Sequence, residues 1–259
     1  MGPRTTRRVP LKSLPLTPRD PRQNQLLAAL PDEERQRLSA LLEPVDLQPG
    51  QVLCESGATA TAVVFPTTAI VSLLYLLRDG ATTEVAVVGN DGMVGIGLLM
   101  GGNTTPNRAV VQGAGQAYRL RASAFEREIE RAGPVLYHLL RYAQALIAQV
   151  AQTAACNRHH SIDQQFSRRL LVGLDRSTVD ELVLTHEGVS SLLGVRREGV
   201  TAAAQKLRDA GVISYRRGHI AVLDRKRLEQ RTCECYASAK KEYQRLLPAT
   251  QGLCLAVGG

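Results

Sequence analysis

Apolar and polar positions along the chain change rhythm twice. Between Pro44 and Leu120, short apolar runs (QVLCE, TAVVF, AIVSLLYLL, TTEVAVVG, GMVGIGLLM, NRAVVQG, GQAYRL) are separated by glycines and polar turns. Many short runs at regular spacing predict antiparallel strands closed into a barrel, not strands alternating with helices. Upstream, residues 24–30 and 31–42 read as two short helices, the second opening with acids that complement the helix dipole. Downstream, 121–130 reads as a short helix. From Gly133-Pro134 the apolar positions Leu136, Leu140, Ala143, Ile147, Val150 and Ala154 recur at alternating steps of four and three. That spacing is a coiled-coil seam, and it predicts one helix to about Cys156, roughly 30 Å long. Such a helix could be buried inside one domain or pair with a second copy along this seam; pairing is the expectation, so the chain is read as a homodimer. A further helix is expected over 161–175, with Ile162, Phe166, Leu170 and Leu174 inward.

The third rhythm occupies Thr185 to Val222. Thr185 is suited to cap a helix from His186 to Leu193, because its hydroxyl can accept from a free first-turn amide. Gly194 ends that helix, since glycine tolerates the left-handed conformation. A second helix is predicted from Arg197 to about Ala210, with Val200, Ala203, Ala204 and Leu207 inward. A small hairpin follows, Ile213–Tyr215 against Ile220–Val222. Between Gly194 and His219 stand six Arg/Lys residues and two acids. Their placement suits one helix in a major groove with a wing beside the phosphate backbone. Asp224 is expected to cap a last helix holding Leu228 and the run CECY, with 241–259 as a tail.

Composition narrows the picture only in places. The 259 residues allow two ordinary domains, and the net charge of +8 favours a polyanion partner. The Pro- and Arg-rich residues 1–23 are read as a flexible leader. No apolar stretch reaches the length of a membrane span, and MGPRTTRRVPLKSLP lacks the apolar core of a secretory signal. Five cysteines, an odd number, suit a reducing compartment better than a disulfide framework, so a cytoplasmic protein is expected. No HExxH, GxSxG or Walker loop is present, Asp163 and His159 lack a nucleophile, and no enzyme is expected.

The stretch LLGVRREGVTAAAQKLRDAGVI, with YRRGHIAVLDR after it, resembles the DNA-binding domain of the Crp/Fnr transcription regulators of bacteria. GNDGMVGIGLLMGG with NRAVV after it resembles their sensory barrel, and the likeness covers roughly residues 24–240. The resemblance implies an α+β chain: a β-barrel of cyclic-nucleotide-binding, jelly-roll type (24–132), a dimerisation helix and hinge (133–160) and a winged helix-turn-helix (161–240). It implies a sequence-specific transcription regulator acting as a homodimer on a pseudo-palindromic double-stranded DNA site, with RNA polymerase as a further partner. Arg197 and Glu198 would meet base edges, helped by Arg196 and Thr201, since Arg can fork to guanine and Glu can accept from cytosine. Thr185, Lys206, Arg208, Arg216, Arg217 and His219 would meet phosphates. Two departures stand out. Ala202 occupies the place of a further family Arg, and Arg196 that of a Ser cap.

In cyclic-nucleotide-binding members a Gly-Glu-Leu loop holds the ribose, and a later Arg-Ser-Ala or Arg-Thr-Ala holds the phosphate. Here the first reads Gly95-Ile96-Gly97 and the second Arg108-Ala109. The chain is therefore expected to be a member without the usual cyclic-nucleotide motif, not a cyclic-AMP binder, with Arg108 and Gly95 left as an effector site for another anion. The N-terminal cysteines of iron–sulfur members are missing as well, so no cofactor is expected to be required. Cys156, His159, Cys233 and Cys235 would form a soft metal or redox site if the last helix folds back onto the hinge; otherwise they are packed thiols. The competing function is a ligand-binding signalling or scaffold protein whose winged domain binds protein.

Overall fold

The computed structural model describes residues 19–177, 181–216 and 218–247. Of the expected leader, residues up to 18 lie outside that set, and its end forms a short 3-10 turn, Pro21–Gln23. Asn24 then caps α1 (Gln25–Ala28). Its wholly buried side-chain amide also donates to Pro66 O and Gly92 O, each at 2.8 Å, tying this turn to the sheets. α2 (Asp32–Ser39) carries Asp32, Glu33 and Glu34 in its first turn, where the dipole favours them.

Seven strands follow: β1 (Glu43–Leu47), β2 (Val52–Cys54), β3 (Ala62–Pro66), β4 (Ile70–Leu76) and β5 (Thr82–Val88), then, after the short α3 (Ile96–Leu99), β6 (Arg108–Gly113) and β7 (Gly115–Arg121). All pairings are antiparallel. The expected closed barrel is not formed. The strands make two open sheets, β1-β7-β3 and β2-β6-β4-β5. Among the described residues no strand of one sheet pairs with a strand of the other. The two isolated bridges, Thr59–Thr104 and Val64–Val94, are single contacts that do not extend into a ladder. Closure would need a continuous hydrogen-bond register around the ring. Instead, buried Val63, Val71, Leu73, Ala86, Val88, Val111 and Leu120 from both sheets join one apolar core. The segment GMVGIGLLM is likewise not a strand but a bridge at Val94 followed by α3, with Gly95 at φ 102° entering it.

α4 (Ala122–Glu130) and α5 (Pro134–His159) close this core through Phe125, Val135, Leu139, Tyr142 and Leu146. Each such side chain, once buried, contributes about 1.5–3 kcal/mol. α5 passes Cys156, where the sequence suggested its end. Arg158 and His159 suit the negative end of the dipole, and the His160 amide closes the last turn on Cys156 O. Ser161 at once starts α6 (Ile162–Leu174) with a capping box to Gln164. The hinge is therefore only the His160–Ser161 link.

β8 (Glu181–Val183), α7 (His186–Leu193), α8 (Arg197–Asp209), β9 (Ile213–Arg216) and β10 (His219–Val222) complete the winged unit, with sheet order β8-β10-β9. The single last helix expected after Asp224 is two. Asp224 caps only α9 (Arg225–Glu229), and Cys233 begins α10 (Glu234–Leu246). α10 overruns the expected tail boundary at 241 because Leu246 is buried and Tyr243 packs on the sandwich core. Residues 248–259 lie outside the described set.

The winged unit is docked on the second sheet. Ile70, Leu74 and Val87 join Phe166, Leu170, Leu174, Leu192 and Val200 in one buried cluster. Two ion pairs cross the same boundary: Glu84 Oε1 to Arg169 Nε at 2.6 Å and Asp91 Oδ2 to Arg176 Nη2 at 2.7 Å. Arg176 lies so close to Gly89 that a Cβ there would come within 2.6 Å of it.

Candidate nucleic-acid interface and a cysteine–histidine cluster

The helix-turn-helix is built by local rules. The Thr185 hydroxyl accepts from the Gly188 amide at 2.9 Å. Gly194, at φ 66°, turns the chain in the left-handed region between α7 and α8. α8 buries Val200, Ala203, Ala204 and Leu207 and leaves Arg197, Glu198, Thr201, Ala202, Gln205, Lys206 and Arg208 exposed. Steps of three and four put Arg197, Glu198, Thr201 and Gln205 on one outward face.

The side-chain partners of these groups are themselves exposed or half-exposed. Arg197 Nη1 stands 3.7 Å from Glu187 Oε2, both well exposed. Arg196 precedes α8 and makes no cap bond. The Thr201 hydroxyl donates to Arg197 O at 3.0 Å and lies 3.1 Å from His186 Nδ1, which leaves its methyl group for an apolar contact. Lys206 Nζ pairs with Asp163 at 2.6 Å and Arg208 Nε stands 4.0 Å from Asp209. In the wing, Arg216 is exposed, His219 Nδ1 lies 3.0 Å from Glu181, and Arg217 lies outside the described residues. Exposed pairs of this kind contribute little and are readily exchanged for phosphate.

His186 was not singled out by sequence reasoning. Its ring stacks on Tyr215 with centroids 4.3 Å apart, joining the start of α7 to the wing. Burial, then the Arg197 charge, hold its pKa below the usual 6.5, so its neutral form is favoured against a cationic surface. The signal was a lone aromatic in β9, and only the fold shows what faces it.

The expected dimer seam is split between two faces of α5. Ala143 is buried in the chain's own core, and Leu136 and Val150 pack against that core. Leu140, Ile147 and Ala154 are exposed, joined by Tyr137 at 67% exposure, Gln144 and Ala151. The outward stripe is thus Tyr137, Leu140, Gln144, Ile147, Ala151 and Ala154. A spacing of three and four recurs on both sides of a helix, so periodicity alone did not separate them.

Gly95 lines an open cavity of about 430 Å³ together with Cys54, Glu55, Val94 and Arg119. Arg108 is joined to that lining through Glu55, at 3.0 Å.

At the hinge, four ligand atoms from Cys156, His160, Cys233 and Cys235 lie within 4.8 Å of one another. His160 takes the place expected for His159, which is exposed on the last turn of α5. The break between α5 and α6 turns His160 inward, and its Nδ1 reaches Cys235 Sγ at 3.5 Å. Cys156 and Cys233 Sγ are also 3.5 Å apart. Cys233 has extended backbone as the N-cap of α10, so the divergence of positions i and i+2 within a helix does not apply to it and Cys235. Burial pushes the Cys156 thiol up to about 12. The expectation that no cofactor is required is corrected by this set: three thiols and an imidazole in one place are a donor set for a soft or borderline metal.

Comparison with known proteins follows the same division. A family model for the cyclic nucleotide-binding domain matches residues 44–132, and one for the Crp-like helix-turn-helix domain matches 164–231. The expected loss of the cyclic-nucleotide element is thereby corrected: the domain is intact, because strand order and core pattern define it, not two loop positions. Among solved structures, FixK2 from Bradyrhizobium japonicum has 16% identity and a TM-score of 0.62, covering 74% of this chain and 98% of its own. A Crp/Fnr-family regulator from Eubacterium rectale has 18% identity and a TM-score of 0.62, covering 79% and 96%. A CRP-family transcriptional regulator from Thermus thermophilus has 20% identity and a TM-score of 0.60, covering 72% and 95%. Likeness at these identities shows the fold. A comparison with curated proteins found no match. No helix among the described residues is long and apolar enough to cross a membrane. Residues 44–132 are thus a cyclic nucleotide-binding domain and 164–231 a Crp-like helix-turn-helix domain, the domain order of a DNA-binding transcription regulator of the Crp/Fnr type.

Proposed function

We propose that the protein reads a pseudo-palindromic operator as a homodimer, each α8 entering one of two major grooves about 34 Å apart. The observation that carries this is the outward face of α8, whose polar groups are exposed and pair only at the surface, beside a wing held by the His186–Tyr215 stack. Arg197 and Glu198 meet base edges, Arg196 stands at the helix start, and the Thr201 methyl suits a thymine methyl. Thr185, Lys206, Arg208, Arg216, Arg217 and His219 meet phosphates and set register. Ala202, exposed on the same face, offers no hydrogen bond, so the half-site differs from those read by members with an Arg there.

The exposed stripe of α5 supports pairing of two copies, and a bound dimer would present its remaining surface to RNA polymerase. In this division of labour the domains are 24–132, 133–160 and 161–240, with α10 running beyond the last limit to Leu246. Selection of bound duplexes from a random pool, then titration of the selected site, tests the reading. Arg197→Ala is expected to weaken the selected site by about 1–3 kcal/mol and to relax one base position in each half-site. Equal binding of selected and scrambled duplexes, or no effect of Arg197→Ala with the fold intact, would refute it.

A further inference from the structure

The cluster at the hinge is separate from both apolar cores. Cys156, Cys233 and Cys235 form a buried group of their own, and His160 joins them. Packing alone does not explain this composition, since Ala, Val or Leu would fill the space without an imidazole. A tetrahedral ion with bonds of about 2.3 Å to sulfur and 2.0–2.1 Å to nitrogen holds its ligand atoms about 3.6–3.8 Å apart. Two of the separations here, Cys156 to Cys233 Sγ and Cys235 Sγ to His160 Nδ1, are both 3.5 Å. A four-iron cluster would need its thiolates farther apart than this set allows.

The surroundings are those of a ligand shell. His160 presents Nδ1 to the thiols while its Nε2 faces Glu234 Oε1 at 3.3 Å. A carboxylate on the far ring nitrogen fixes the tautomer that leaves the near one free to coordinate. Gln152 Nε2 donates to Cys235 Sγ at 3.0 Å, as an outer group does to a thiolate. Arg168 lines one small cavity with Cys156 and supplies positive charge to a site that becomes anionic when loaded.

We propose that Cys156, His160, Cys233 and Cys235 form a mononuclear site for a thiophilic divalent cation of the zinc class, and that loading it clamps the end of α5 to the start of α10 across the hinge. Binding one ion converts three thiols to thiolates and releases three protons; no electron is transferred. Because the hinge is only His160–Ser161, the ion ties the angle of α6, and with it α8, to the long helix. The last step, from hinge to operator, rests on the DNA-binding reading; the metal site does not.

Full-length protein, reduced and stripped of metal, would be titrated with Co(II). One ion per chain is expected, with a thiolate-to-cobalt charge-transfer band, intense tetrahedral d–d bands and displacement by Zn(II). Cys233→Ser and His160→Ala should abolish or displace this spectrum, while His159→Ala and Cys54→Ser should leave it unchanged. Glu234→Gln, outside the ligand set, should retain the spectrum but weaken affinity by about 10- to 100-fold. Thiol labelling keeps the test decisive if a ligand variant fails to fold: the ion should protect three thiols of the native chain. An octahedral spectrum, no protection, or a Cys156–Cys233 disulfide with no metal uptake by the reduced protein would overturn the site, as would an iron–sulfur chromophore formed in its place. Operator affinity would then be compared in loaded and stripped protein. A difference supports the clamp and equal affinities refute it. Absence of specific binding in both would sink the DNA reading while leaving the Co(II) result standing.

Discussion

Removing one carboxylate should loosen the whole DNA-reading unit. Glu84 on β5 and Arg169 on α6 are 7% and 5% exposed, and their charged atoms lie 2.6 Å apart. Arg169 Nε makes no aligned hydrogen bond, so the attraction is chiefly that of charges in a poorly solvated place. The Ser72 hydroxyl donates a short bond to the other Glu84 oxygen. Glu84→Gln keeps the shape and removes the charge, leaving the Arg169 guanidinium buried and unpaired. Breaking one side of a buried pair costs about 3–5 kcal/mol.

That cost has a ceiling, because the winged unit can undock and return Arg169 to water. Undocking would expose Ile70, Leu74 and Val87, now shared with Phe166, Leu170 and Leu192. Glu84→Gln should therefore lower the first urea midpoint and split unfolding into two steps, with new protease cleavage near the hinge. Glu84→Leu with Arg169→Met should recover most of the loss, since an apolar pair carries no desolvation penalty. Urea titration followed by far-UV circular dichroism, with timed proteolysis, measures both. A single variant within about 0.5 kcal/mol of the parent, the size of an ordinary surface change, or a double variant no better than the single, would refute the reasoning.

Three further outcomes follow from particular groups. His138, half-buried against Leu26, Leu30, Phe65 and Phe125, has its pKa lowered to about 4 by burial and then by the Arg141 charge. The unfolded chain thus binds the extra proton first; stability is complete above about pH 6.5 and falls as pH drops toward 4, by up to about 3 kcal/mol. His138→Gln should flatten that slope in urea titrations across the window. Leu140→Glu with Ile147→Glu should give monomers by light scattering without lowering the urea midpoint by more than about 1 kcal/mol, since both sites are exposed. Lys206→Ala should weaken selected and random duplexes alike and reduce the salt slope of binding by about one per protomer; a loss confined to the selected site would show that Lys206 reads bases.

The helix-turn-helix was legible in the sequence because its determinants are local. A cap at Thr185, a left-handed glycine at 194 and an apolar face at every third or fourth residue all act within one or two turns, and each stands where expected. Element type in 44–120 was legible for the same reason, except where Gly95 turns the chain into α3. Sheet closure was not, because apolar alternation sets which way side chains point and says nothing about which strands share hydrogen bonds. Nor was the choice between His159 and His160. It depends on α5 ending at His159 with His160 as its extended C-cap, and on α10 folding back to present Cys233 and Cys235.

The two faces of α5 mark the boundary most clearly. Local order in the chain predicts a long helix with apolar residues at steps of three and four. Whether such a residue meets the sandwich, as Ala143 does, or stands outward, as Leu140 does, depends on strands more than fifty residues away in sequence that close over one side of the helix. Burial is a relation between distant segments. Only their packing decided which half of the apolar pattern became core, which half became surface, and where the thiols and imidazole met.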